Sequence, residues 1–154
     1  MATMTAQLND FIVRAKAATY VGGGEASASC RPGSHDLQFR AGEFHYWDSY
    51  FGGADFIGEE VIYFEDKPIW AMNYYGRILA PDRITGEETG QMIKKSLSRL
   101  YLQNRFLGGF DYTDGRDTYH DTNEGDITTF TGKEWIDRDG MRVYELVYHG
   151  GLIK

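Results

Sequence analysis

Residues 36–51, DLQFRAGEFHYWDSYF, decide the fold class. Leu37 and Phe39 alternate with Gln38 and Arg40, and Ala41-Gly42 supplies a tight turn. From Glu43 onward the alternation resumes, with Phe44, Tyr46, Asp48 and Tyr50 on one face and His45, Trp47 and Ser49 on the other. A period of two on both sides of a glycine turn is the mark of a β-hairpin. After Gly52-Gly53 the pattern returns: a strand over 61–65, a turn at Asp66-Lys67, and a strand over 68–75. Pro68 is tolerated there because it begins its strand.

Outward from these hairpins the period changes. In residues 5–19, Leu8, Phe11, Ile12 and Ala15 fall at i, i+3, i+4 and i+7, with Thr5 as the expected N-cap. This predicts an amphipathic helix that stops at Gly22, Gly23 and Gly24. A second helix is expected over 86–103, where Thr85 and Glu88 have capping-box spacing and Ile93, Leu97 and Leu100 form one stripe. Residues 108–125 show no clear period and read as a long loop holding at most one short strand. Strands over 126–136 and 141–149 follow, joined through Asp139-Gly140, a strong hairpin signal. Beyond the recurrence of hairpins no internal repeat is expected. Residues 1–154 therefore predict a single α+β domain, a curved antiparallel sheet built from successive β-hairpins with two packed helices.

Composition narrows the function. Sixteen Lys and Arg against 23 Asp and Glu leave a net charge of −7, with no basic block. That argues against nucleic acid or an anionic membrane surface as partner. The single cysteine, Cys30, cannot form an intrachain disulfide, and residues 1–10 lack the basic start and apolar run of a secretory signal, so a cytoplasmic location is expected. No apolar run approaches the roughly 20 residues of a membrane span. The 3 Trp, 11 Tyr and 9 Phe nearly match the aliphatic residues in number, so the core must be strongly aromatic. Most of these rings carry a polar tip that wants a partner when buried.

Asp48 stands among the rings of its strand face, where desolvation would raise its pKa unless a backbone group or a tyrosine hydroxyl satisfies it. Glu59 and Glu60 are adjacent on a strand and point to opposite faces, so only one of them can share a pocket with Asp48. Trp70, Met72 and Tyr74 share one face of their strand, and Asn73 lies on the other as a hydrogen-bond anchor. Arg31, Ser34 and Asp36 surround a Pro-Gly turn, where a guanidinium could hold a phosphate or carboxylate. The glycine run lacks the third glycine and the preceding strand of a dinucleotide fingerprint, and the Gly132-Lys133 pair lacks the rest of a phosphate loop. The four histidines have no zinc spacing, and the acidic residues of 111–126 do not follow a calcium loop, so no metal and no cofactor is expected. Glu145 and His149 share a face, but no nucleophile can be placed beside them.

The succession Thr19-Tyr20 with Gly22 to Gly24, Arg31-Pro32-Gly33-Ser34 with Asp36-Leu37, Tyr46 and Asp48, Phe56 with Gly58-Glu59-Glu60, Trp70-Ala71-Met72-Asn73-Tyr74 with Gly76, and Tyr144-Glu145 with Tyr148-His149-Gly150-Gly151 resembles an uncharacterised prokaryotic family, domain of unknown function 5680. The resemblance implies an α+β fold, occurrence alone or behind helix-turn-helix regulators, and no established activity. It also implies that Arg31, Asp36, Tyr46, Asp48, Glu59, Glu60, Trp70, Asn73 and Tyr74 are motif residues. Fusion behind a DNA-binding domain would suit a ligand sensor, by analogy only.

Three functions fit these observations. The leading expectation is a non-catalytic small-molecule-binding domain, sensing or sequestering an anionic or nucleotide-like ligand. Tyr46, Trp70 and Tyr74 would supply flat surface, Asp48 and Asn73 orientation, and Arg31, Ser34 and Asp36 an anion contact. The second is a carboxylate hydrolase, metal-assisted or not, using Asp48 with Glu59 or Glu60. The third is an acidic interaction module of the immunity type. Glycine-rich aromatic edge strands favour a homodimer.

Overall fold

The computed structural model describes residues 2–22 and 25–154. Helix α1 (Met4–Lys16) continues into a π-helical turn (Ala17–Val21), and its N-cap is Thr3 rather than Thr5. Strands β1 (Glu25–Ser27), β2 (His35–Ala41), β3 (Phe44–Gly52), β4 (Phe56–Phe64) and β5 (Lys67–Ile78) come next. Helix α2 (Gly86–Tyr101) carries the expected capping box, with Thr85 and Glu88 each bonding the other's backbone. Strands β6 (Phe110–Asp114), β7 (Asp117–Asp126), β8 (Thr129–Arg138) and β9 (Met141–Leu152) complete the chain. Gly23 and Gly24 of the glycine run lie outside the described residues.

The nine strands of the described residues form one open antiparallel sheet in the order β1-β2-β3-β4-β5-β9-β8-β7-β6. The fold is α+β, a curved sheet of hairpins, with residues of both helices meeting one face of it. The expected hairpins at Gly42, Asp66 and Gly140 form, but two segments differ from expectation. Residues 108–125 make the β6–β7 hairpin, not a loop. Their apolar alternation is interrupted because Asp121, a carboxylate, occupies an inward position beside Tyr119. Strand β4 starts at Phe56 and not at 61, because Gly58 is a strand residue whose missing side chain admits a tyrosine ring: a Cβ there would fall on Tyr74.

The chain also contains the repeat that its hairpins did not reveal. Set β1 aside, and the strand order reads the same from either end, each half being a helix followed by four strands. Residues 73 or 74 apart occupy equivalent positions, and ten such pairs are identical, among them Tyr46/Tyr119, Asp48/Asp121, Phe56/Phe130, Gly58/Gly132, Glu60/Glu134 and Tyr74/Tyr148. The register agrees: Asp48 faces Glu60 as Asp121 faces Glu134. The ladder irregularities at Ile62/Tyr63 and Ile136/Asp137 are also equivalent. Gly42 and Gly115, with φ of 60° and 62°, turn corresponding hairpins in a left-handed conformation that glycine adopts without steric cost. Tyr74 pairs with Tyr148 across the central β5–β9 seam, so a pseudo-two-fold axis passes there.

Between helices and sheet lies the core. Leu8, Phe11, Ile12 and Ala15 of α1 and Met92 and Ile93 of α2 pack on Tyr46, Ile62, Trp70, Tyr119, Phe130, Ile136, Val143 and Tyr144. As composition implies, the sheet side of this core is built largely of rings, with Trp70 stacked on Phe130 and edge-on to Phe106.

Candidate functional site

On the inner face of the sheet the register brings Tyr46, Asp48, Glu60, Trp70 and Tyr74 to one side. The second half contributes Tyr119, Asp121, Glu134, Tyr144 and Tyr148 to the same side. Here, under Lys16 and Tyr20 of the first helical segment and Leu97 and Tyr101 of α2, lies a cavity of about 90 Å³. It adjoins a wider recess of about 330 Å³ bounded by Tyr50, Ala54 and the first turn of α2, the two sharing Tyr20, Asp48, Phe56 and Tyr74.

Four carboxylates line the cavity, each more than nine-tenths buried: Asp48, Glu60, Asp121 and Glu134. Each receives a tyrosine hydroxyl. Tyr74 donates to Asp48 at 2.6 Å and Tyr148 to Asp121 at 2.7 Å, an equivalent pair. Tyr46 donates to Glu60 and Tyr119 to Glu134, again equivalent, and Tyr144 adds a second bond to Glu134 at 3.1 Å. Among the described residues a cation meets only one of the four: Lys16 Nζ lies 2.6 Å from Glu60 Oε2 in a buried ion pair. The α1 stripe therefore ends in a charge, since the turn that faces the sheet at position 16 faces Glu60.

Burial and the neighbouring Glu60 charge push Asp48 up to about 7, against the lowering effects of Tyr74 and Lys16. Burial and Glu134 push Asp121 up to about 7, and burial raises Glu134. The cavity tyrosines are raised by burial and by the same carboxylates, so their hydroxyls stay protonated donors. An aspartate elevated in the folded state and ordinary when unfolded binds more protons folded. Its stabilising contribution is full below about pH 4, the usual range for aspartate, and is lost as pH rises towards 7. The melting temperature should accordingly fall from pH 4 to pH 7. In Asp121→Asn, where the amide oxygen still accepts from Tyr148, that slope should be shallower and the protein more stable at pH 8; an unchanged slope would refute the assignment.

Other residues singled out from the sequence lie elsewhere. Ser34 and Asp36 form a separate buried network on the outer face: Ser34 donates to Asp36 at 2.6 Å, Trp47 Nε1 at 2.7 Å and Ser49 at 3.2 Å. Burial would raise Asp36, but hydrogen bonds from Cys30, Ser34 and Trp47 outweigh it and hold the carboxyl well below the usual range. Arg31 is exposed, reaches Ser49 at 3.3 Å and lies over the Phe51 ring. It borders an outer-face groove with Glu59, Asn73 and His149. Among the described residues no one pocket gathers all six of Arg31, Ser34, Asp36, Asn73, Asp48 and Tyr74: Asp48 lines the inner cavity, Arg31 and Asn73 line the outer-face groove, Tyr74 borders both, and Ser34 and Asp36 line neither. Glu60, not Glu59, shares a face with Asp48. Trp70 is core: fully buried, its indole donates to the Ile127 carbonyl and it does not line the cavity. Sequence reasoning missed Lys16, Tyr119, Asp121, Glu134 and Tyr148. The repeat of Tyr-x-Asp at 46–48 and 119–121 was the signal that could have found the last four.

Fold and site together define an α+β domain with a buried, carboxylate-lined aromatic cavity on a pseudo-two-fold axis. Residues 48–153 match the family model described as Domain of unknown function (DUF5680), and the chain belongs to that family. Arg31, Ser34 and Asp36 precede the matched span, which contains all four cavity carboxylates. Neither the curated proteins nor the solved structures give a match. Among the described residues no three His, Cys, Asp or Glu side chains converge as a metal site, and no helix is long and apolar enough to cross a membrane.

Proposed function

We propose that this domain binds a small molecule, as a sensing or sequestering protein and not as a catalyst, with the ligand held between the helices and the inner face of the sheet. The observation that carries this reading is the cavity with its adjoining recess, ring-walled and lined by convergent polar groups, which together reach the size of small-molecule sites. The anionic ligand expected from Arg31 loses its basis, because that guanidinium lies on the other face. Asp48, Asp121 and Glu134, without a cation of their own among the described residues, favour a ligand that brings positive charge. Hydrolysis by Asp48 and Glu60 is less well supported, since Lys16 and Tyr46 hold Glu60 in place.

Thermal unfolding against nucleotides, sugars, amino acids, amines and divalent metals tests the reading. A ligand at about 100 times its Kd should stabilise the fold by about 2.7 kcal/mol, a shift of several degrees that Asp121→Asn diminishes. Absence of any shift across the panel would overturn it.

A further inference from the structure

Building on the reading of the cavity as a small-molecule site, we propose that its ligand carries a primary ammonium group, seated at Glu134 as the ammonium of Lys16 is seated at Glu60. The two glutamates are equivalent under the pseudo-two-fold axis. At Glu60 the protein supplies its own cation: Lys16 Nζ lies 2.6 Å from Oε2, 3.9 Å from Met72 Sδ and 5.3 Å from the centre of the Phe106 ring. Tyr46 donates to the other oxygen. At Glu134 these surroundings recur in part, with Tyr119 in place of Tyr46 and Leu146 in place of Met72, while Tyr144, which stands where the first half has Trp70, donates to the other oxygen at 3.1 Å and leaves that oxygen a further lone pair.

The difference lies on the helices. Buried positions of α2 follow those of α1 at a spacing of 81 residues: Ile12 to Ile93, Ala15 to Ser96, and the cavity residues Tyr20 to Tyr101. That spacing puts Leu97 where the first half has Lys16. Among the described residues Glu134 and Asp121 make no ion pair.

A second observation is independent of the repeat. Asp121 is 4% exposed, and only its Oδ1 accepts a hydrogen bond, from Tyr148, among the described residues. The other oxygen belongs to a side chain lining the cavity. A primary ammonium has three donors, which Glu134, Asp121 and a tyrosine oxygen can take, and the aromatic residues Tyr101 and Tyr119 line the same cavity. Leu97, Phe106 and Leu146 offer the apolar wall for an alkyl chain. Among the described residues a bare metal ion lacks a converging set of three ligands.

Calorimetric titration of the full chain with n-butylammonium chloride, and with n-butyltrimethylammonium chloride at equal ionic strength, tests this. The primary amine should bind at least about tenfold more tightly than the quaternary one, which has no N–H to donate, and Glu134→Gln should weaken it by about tenfold or more. Leu97→Lys, which copies Lys16 into the second half, should abolish amine binding in a protein still folded by circular dichroism. Equal affinity for the two amines, or binding that survives either substitution, overturns the proposal. Lack of binding by either amine, together with an Asp121-dependent melting shift from a neutral or anionic compound, overturns the ammonium ligand and leaves the small-molecule reading standing. Silence from every compound overturns both.

Discussion

Lys16→Met should lower the free energy of unfolding by about 3–5 kcal/mol, the usual cost of removing one member of a buried ion pair. Glu60 is 5% exposed, and without Lys16 its charge would keep the Tyr46 hydroxyl but have no counter-ion. Against a typical domain stability of about 5–15 kcal/mol the loss is severe. Urea denaturation at pH 7 measures it, and the double variant Lys16→Met with Glu60→Gln should recover much of the loss, since no buried charge then lacks a partner. A single variant within about 1 kcal/mol of wild type would show that the pair contributes little.

Trp70→Ala should cost a comparable 3–5 kcal/mol. The side chain is fully buried, its ring centre 5.8 Å from that of Phe130 and 5.9 Å from that of Phe106. Its indole N–H reaches the Ile127 carbonyl at 3.0 Å, tying β5 to the turn between β7 and β8 and hence one half of the sheet to the other. Trp70→Phe keeps much of the ring contact and loses that bond, so denaturation of the two variants separates packing from hydrogen bonding. If alanine cost under about 1.5 kcal/mol, the site would not be the close-packed centre described above.

Much of this fold was legible because it is written in local signals. Alternation from Leu37 to Tyr50, the turns at Gly42 and Gly140, and the Thr85–Glu88 box each act within a few residues, and each formed as read. The hairpin and the early residues of β4 were both missed where inward positions are not apolar, at Asp121 in the first and at Gly58 and Glu60 in the second. Where Asp121 and Glu60 point inward, the hydrophobic pattern breaks at the residues that matter most for the cavity. The repeat escaped because its offset changes from 73 to 74 in the loop after Gly52 and Gly125 and becomes 81 along the helices. Within one strand, parity placed Tyr46 with Asp48 correctly. Between strands parity needs the register, which depends on loop geometry, and there the grouping of Asn73 with Asp48 failed; Arg31, in the loop before β2, has no strand parity at all.

The pseudo-two-fold axis through Tyr74 and Tyr148 has a further consequence. A true homodimer of one helix-and-four-strand unit would have to carry the same residue at both related positions: lysine twice, or leucine twice. Two lysines would neutralise both glutamates, and two leucines would leave both charges buried. Joining the halves in a single reading frame removes that constraint, so each can change alone. Lys16 opposite Leu97 is an asymmetry that two identical chains could not carry, and it gives the cavity a direction, with a lysine paired to the glutamate at one end and a leucine at the corresponding place at the other.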